Sequence, residues 1–131
     1  LVSLSEGKSV TVMTRSELYN PGYKKELKNK LEFVVEPKPV VIVEGYLALH
    51  DKRIRDRMSA RIYLNLPIER SIERRTKFVD NDYFEKLLIP AHQEFVEPTQ
   101  AHATLVIDVE GKNEEQVLRE ALLHVQQQVT H

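Results

Sequence analysis

The sequence has 131 residues, no cysteine and a formal net charge of −1, from 19 Lys and Arg residues against 20 Asp and Glu residues. These numbers exclude a disulfide framework, an iron–sulfur cluster and a thiol nucleophile, and they argue against binding to nucleic acid or anionic membranes through bulk positive charge. No apolar run is longer than Val40–Val43, far below the ~20 residues of a membrane helix. We therefore expect a single domain over residues 1–131 that, without a leader segment, lies in the cytoplasm.

The sequence of the first third of the chain predicts the end of a helix, followed by extended structure. Leu1–Glu6 ends a helix at Gly7, and Ser9–Met13 forms a short strand. Further along, Glu36–Pro39 is extended, because each residue before a proline is pushed out of the α region. Val40–Val43 is the clearest strand, since a continuous β-branched run is typical of a parallel strand buried on both faces.

Helices and strands alternate over the rest of the chain, which predicts an α/β fold with a parallel sheet covered by helices on both faces. The last helix begins with a capping-box variant at Asn113 and Gln116 and runs to about Val125. Its predicted buried stripe is Val117, Leu118, Ala121, Leu122 and Val125. The other predicted elements are a helix over Asp51–Met58, a strand over Arg61–Leu66, a helix from Pro67 to about 76, a helix over Tyr83–Val96 kinked by Pro90 and ended by Pro98, and a strand over Ala103–Val109.

An acid follows the predicted strand Val40–Val43. Glu44 stands where the carboxyl end of a parallel strand faces the ligand crevice, a place where nucleotide-binding sheets present a carboxylate to Mg²⁺ or its water. Gly45 comes next and lets the backbone pass close to a ligand. The residues alone leave a solvated acid at a strand end as an equally open interpretation.

Four basic residues follow the strand predicted over 61–66: Arg70, Arg74, Arg75 and Lys77. Arg70 and Arg74 are four residues apart and share one helix face. Such a cluster can clamp a transferring phosphoryl group and neutralise its developing charge. On the pattern alone, a solvated face paired with Glu69 and Glu73 is the favoured interpretation.

Other motifs are less informative. Gly7-Lys8-Ser9 is like the end of a phosphate-binding G-x-x-x-x-G-K-[ST] loop, but Val2 occupies the first glycine position, and we interpret the segment as a turn from a helix into a strand. Tyr19 and Tyr23, among several lysines, either line a small-molecule site or lie in an exposed loop. No metal-ligand spacing such as H-E-x-x-H joins His92, Glu94, Glu97, His102 and Asp108, so we expect no metal site there.

The order of these segments resembles the uridine kinase family of P-loop kinases. The likeness covers nearly the whole chain: Leu4–Val10, Pro39–Gly45, Ile54-Arg55-Asp56, Arg61–Leu64, Glu73-Arg74-Arg75, Phe95–Thr99 and Ala103–Ile107. The stretch 76–83 resembles a short lid. It is closer to that of nicotinamide riboside kinases, in which a double arginine is also soon followed by a pair like Tyr83-Phe84.

The resemblance implies a P-loop NTP hydrolase-like fold and phosphorylation of a nucleoside hydroxyl by ATP and Mg²⁺. Within it, Glu44 lies near Mg²⁺ and binds the cofactor, and Arg74 and Arg75 are catalytic arginines where a lid closes on ATP. With them we assign Arg70 and Lys77 to ATP binding. Alignment from Gly7-Lys8 puts Arg15 where uridine kinases carry a substrate-binding tyrosine, and a gap brings Tyr19 or Tyr23 there, so these three are the predicted substrate-binding residues.

The family's P-loop, first helix and catalytic aspartate would lie upstream of Leu1. We therefore expect the carboxyl-terminal part of a kinase domain, a sheet lacking the P-loop strand between Val40–Val43 and Arg61–Leu66, and a chain that is inactive alone. These two strands would then pair directly, accept a strand from another chain, or belong to a longer protein.

Two functions remain open. One is a nucleoside (uridine- or cytidine-like) or related small-metabolite kinase, acting on a small-molecule substrate without nucleic-acid or membrane partners, with homo-oligomerisation left open. The alternative is a non-catalytic α/β module that binds a ligand or a partner chain.

Overall fold

The computed structural model describes residues 2–14, 31–74 and 81–129. The chain divides into two compact units, Leu1–Val43 and Glu44–His131, and each is described by itself.

The first unit contains helix α1 (Val2–Ser5) and an antiparallel pair of strands, β1 (Val10–Thr14) and β2 (Leu31–Val35). Gly7 ends α1 with φ +73°, while Lys8 N–H donates to the Ser3 carbonyl at 2.8 Å. This is the Schellman arrangement, in which a glycine in the left-handed region lets the chain leave the helix. The helix end at Gly7 and the strand that follows it are therefore confirmed.

Val40–Val43 does not form a strand, contrary to the prediction. The run has no ladder partner in the described ranges, and Val40 and Ile42 are 73% and 87% exposed. A β-branched run favours a strand only where a neighbouring strand supplies hydrogen-bond partners and packed layers cover its faces.

The second unit is α/β, with a two-stranded parallel sheet and helices. Strands β3 and β4 pair in parallel from Ile62↔Leu105 to Asn65↔Asp108. The buried apolar side chains among the described residues are Leu49, Tyr63, Phe84 and Ile107. The elements are α2 (Lys52–Arg55), β3 (Ile62–Asn65), α3 (Ile68–Glu73), a helical stretch over 81–102, β4 (Leu105–Asp108) and α4 (Glu114–Val129).

Pro90 lies inside the helical stretch 81–102. Wide π turns flank it at Phe84–Leu88 and His92–Val96, and Ile89 N–H donates to Phe84 five residues back. A proline interrupts the i→i−4 ladder because it lacks an N–H and clashes with the preceding turn. Pro98 does not end the stretch, contrary to the prediction, since Glu97–His102 continues as a 3₁₀ helix with the proline near its start, where no N–H is needed.

The predicted capping box opens α4. Gln116 N–H donates to the Asn113 Oδ1, and Asn113 N–H donates to the Gln116 Oε1, both at 2.9 Å. The predicted buried stripe is only partly correct, because Leu118 and Leu122 are 57% and 52% exposed. Val117, Ala121 and Val125 of that stripe are half-buried, as predicted. No helix in the described part of the chain has the length and apolar character to cross a membrane.

Candidate functional site

Two polar residues end the two parallel strands. Asn65 and Asp108 are direct register partners, and the Asn65 side-chain amide donates to Asp108 Oδ1 at 2.6 Å. The carboxyl ends of parallel strands are where open α/β sheets bind ligands. This pair therefore marks the carboxyl edge of the two-stranded sheet.

A shallow, open cleft of about 470 Å³ lies beside the carboxyl end of β3. Burial, and secondarily the negative charge of Glu97, raises the pKa of the Tyr63 hydroxyl, which keeps it a protonated donor. His92 Nε2 lies 3.7 Å from Glu97 Oε1, a separation that becomes an ion pair only when the imidazole is protonated. The lining residues are Tyr63, Asn65, Leu66, Pro67, Ile68, His92, Gln93, Glu97, Pro98 and Gln100.

The three predicted site residues that the structure describes, Glu44, Arg70 and Arg74, do not line this cleft. From the sequence, His92 and Glu97 were expected to be surface or hydrogen-bonding residues, and Tyr63 had no predicted role. The available signal was a single aromatic hydroxyl in the aliphatic strand Ile62–Asn65. That signal identifies a buried polar atom but not the cleft, which needs the packing of the 81–102 stretch to form.

Glu44 is exposed and is followed at once by the turn Gly45–His50. Its carboxylate makes no hydrogen bond or ion pair to another described residue. Gly45 has φ +145°, a value strained for other residues, and Ala48 N–H donates to its carbonyl at 3.1 Å. A Cβ at Gly45 would meet no atom within 4 Å, so in this structure the glycine serves the turn's conformation rather than a close approach.

A magnesium site at Glu44 would rest on one protein carboxylate. Nowhere in the described ranges do three His, Cys, Asp or Glu residues form a metal-binding group. Mg²⁺ nonetheless fits such a donor, because it keeps several waters and typically takes only one or two carboxylates plus substrate phosphates.

Arg70 and Arg74 lie on and just after α3, and their environments differ. Arg70 Nη1 lies 2.9 Å from Glu73 Oε2, and its Nε lies 3.1 Å from Glu110 Oε1. These two carboxylates raise the pKa of the guanidinium, with Glu73 the larger influence. Arg74 caps the carboxyl end of α3, is exposed, and makes no ion pair to the rest of the described chain.

Several predicted site residues lie outside the described residues: Arg15, Tyr19, Tyr23, Arg75 and Lys77. The predicted lid 76–83 is described only at its end, where Asn81–Tyr83 begins the helical stretch 81–102. Of the predicted set, Glu44, Arg70 and Arg74 are described. No hydrogen bond or ion pair joins Glu44 to either arginine.

The sequence matches known proteins over most of its length. The model of the phosphoribulokinase/uridine kinase family matches residues 1–115. The chain is 35% identical over 101 residues to a uridine kinase of Bacillus velezensis, which covers 70% of this chain and 48% of that protein. It is 35% identical over 124 residues to a uridine kinase of Staphylococcus epidermidis, and the match covers 86% of this chain and 56% of that protein.

A third relative, a uridine kinase of Bacillus pumilus, is 39% identical over 89 residues, covering 60% of this chain and 42% of that protein. The chain thus spans about half the length of the curated relatives it matches.

Proposed function

Because the chain belongs to the phosphoribulokinase/uridine kinase family, we propose that its protein transfers the γ-phosphoryl group of ATP to a hydroxyl of a nucleoside or related small metabolite. The observation that carries the proposal is the family match over residues 1–115. The parallel pairing of β3 with β4 supports a P-loop NTP hydrolase-like fold, in which ligands bind at the carboxyl ends of the strands.

The proposed roles follow from charge. Phosphoryl transfer is catalysed mainly by positioning and by neutralising charge on the phosphate oxygens. Bound Mg²⁺ would supply much of that neutralisation, and Glu44, with its exposed carboxylate, would hold the ion or one of its waters. Arg74 and Arg75 would contact the transferred phosphoryl group, and Lys77 would contact the other phosphates.

Arg70 is a weaker candidate for ATP binding than Arg74. Its guanidinium already lies against Glu73 and Glu110, at 2.9 and 3.1 Å. To contact a phosphate it must give up at least one of these carboxylates, whereas Arg74 has none to lose among the described residues. We propose that Arg70 contacts ATP only after such an exchange.

The nucleoside would be held by the segment that carries Arg15, Tyr19 and Tyr23. Aromatic rings stack on bases, and a guanidinium donates to their carbonyl oxygens. This assignment rests on the resemblance alone, and it leaves uridine, cytidine and nicotinamide riboside as the acceptors to compare.

The test is Glu44→Gln in the complete gene product that contains this chain. We expect kcat to fall about 100-fold or more, the usual scale for loss of a transition-state electrostatic contact, with the nucleoside KM changed less than about threefold. Steady-state phosphorylation of the three nucleosides over a Mg²⁺ series measures both constants.

The matched control is Glu94→Gln, which removes an exposed carboxylate from the helical stretch 81–102. It should leave kcat within about twofold of wild type, as is usual for a surface change away from the reacting groups. If Glu44→Gln behaves like this control in both kcat and metal dependence, Glu44 is a solvated acid and its assignment fails.

A further inference from the structure

An ion pair joins the two segments that follow the parallel strands. Helix α3 follows β3, and a turn over residues 109–112 follows β4 and closes with Lys112 N–H donating to the Val109 carbonyl at 3.2 Å. Arg70 of the helix lies against Glu110 of the turn. Open α/β sheets bind ligands outside the carboxyl ends of their strands, and both residues come just after such an end.

The two carboxylates beside Arg70 occupy different parts of its guanidinium. Glu73, on the same helix, lies 2.9 Å from Nη1, whereas Glu110 lies 3.1 Å from Nε. Nη2 donates to no other described residue. Nε and Nη2 point to the same side of the guanidinium and together form an edge that can bind a carboxylate or a phosphate by two parallel hydrogen bonds. Glu110 therefore occupies only half of this edge.

Arg53 shows the complete form of that contact in the same structure. Its Nε donates to Asp51 Oδ1 at 3.0 Å, and its Nη2 donates to Asp51 Oδ2 at 2.5 Å. The single contact of Glu110 is longer than the ~2.7–2.9 Å that is usual for a charge-assisted hydrogen bond. Arg70 and Glu110 are also more than half exposed, at 57% and 56%. Because exposed pairs of this kind contribute little to stability, a ligand can displace the Glu110 carboxylate.

Glu73 holds Arg70 more firmly than Glu110 does. Its contact is the shorter of the two, and it belongs to the same helix, so it stays beside Arg70 when the helix moves. It is also the larger of the two influences that raise the pKa of the guanidinium. A phosphate on the Nε–Nη2 edge would displace Glu110 alone and leave Glu73 on Nη1.

We propose that Glu110 competes with a phosphate of ATP for the Nε–Nη2 edge of Arg70, and that it thereby weakens the binding of the nucleotide. The inference rests on the proposed function, which brings ATP to this edge of the sheet. A phosphate would make two hydrogen bonds where Glu110 makes one. Glu110 thus lowers the affinity for ATP without contacting the nucleotide.

The dissociation constant of ATP tests the competition, measured by isothermal titration calorimetry in the complete gene product without a nucleoside. Glu110→Gln removes the charge and keeps the shape, and we expect ATP to bind about two- to threefold more tightly, within the range of an exposed ion pair. Arg70→Gln should weaken binding by at least as large a factor. Glu69→Gln is the matched control, because it removes an exposed carboxylate of α3 that pairs with no other described residue. It should change the constant less than about 1.5-fold, since exposed charges are screened by salt.

The double variant Arg70→Gln/Glu110→Gln separates competition from a general loss of negative charge. If Glu110 acts through Arg70, the double variant binds ATP no more tightly than Arg70→Gln does. Tighter binding in both backgrounds, or unchanged binding in Glu110→Gln while the wild type binds ATP, would overturn the inference and leave the proposed function standing. A complete gene product that neither binds ATP nor phosphorylates a nucleoside would refute the proposed function, and the inference with it.

Discussion

Ile107→Ala is the sharpest test of the described core. Ile107 lies in β4 opposite Leu64, and among the described residues it is the large side chain with 0% exposure. The substitution removes three buried carbons and leaves a cavity, which typically costs about 2–5 kcal/mol. Because no part of the side chain reaches water, we expect about 3 kcal/mol or more, a large share of the roughly 5–15 kcal/mol that stabilises an ordinary domain.

Val106→Ala is the control, since Val106 is the adjacent residue of the same strand and is 38% exposed. It should cost less than about 1 kcal/mol, because a partly exposed valine has less apolar surface to lose. Urea unfolding followed by far-UV circular dichroism gives both values, provided that the m-value is unchanged. A loss below about 0.5 kcal/mol for Ile107→Ala, or equal losses for the two variants, would refute this description of the core.

Three further outcomes are expected. The 131-residue chain should show no ATP-dependent phosphorylation of uridine, cytidine or nicotinamide riboside, because its sequence contains no G-x-x-x-x-G-K-[ST] segment; turnover in the ~1–100 s⁻¹ range of kinases would contradict this. In the complete gene product, Arg74→Gln should lower kcat about 100-fold, whereas Arg119→Gln, which removes an arginine paired with its own helix, should not. The hydrogen bonds from the Arg53 side chain and backbone lower the pKa of Asp51 to about 2. Its contribution to stability is therefore complete above about pH 4, the unfolded pKa, and is lost as the pH falls through 2. An NMR titration of the Asp51 carboxyl measures this, and an unshifted pKa would contradict it.

The features that sequence predicted correctly are those set by local interactions. The Gly7 turn needs a residue that adopts positive φ, and the capping box needs Asn113 and Gln116 three residues apart. Strands β3 and β4 lie within the predicted ranges 61–66 and 103–109, and α2 and α3 within theirs. The local apolar pattern located β3 and β4, whereas their pairing with each other joins residues 43 apart.

The features that sequence missed depend on partners far along the chain. The run Val40–Val43 carries every local mark of a buried strand, yet it lacks a ladder partner in the described ranges. The exposure of Leu118 and Leu122 depends on which side of α4 meets β4. The Tyr63 cleft depends on the 81–102 stretch. Periodicity reports which residues could be buried, but not what buries them.

Charge pairing distinguishes the two candidate phosphate-binding arginines, Arg70 and Arg74, which motif spacing could not do. Arg70 and Arg74 are equivalent on a helical wheel, but the former faces two carboxylates and the latter faces none among the described residues. A guanidinium that is already neutralised attracts a phosphate less than an unpaired one, since the ligand must displace the carboxylates. Glu44 likewise pairs with no other described residue. The proposed chemistry therefore depends on an acid and an arginine that pair with no other described residue.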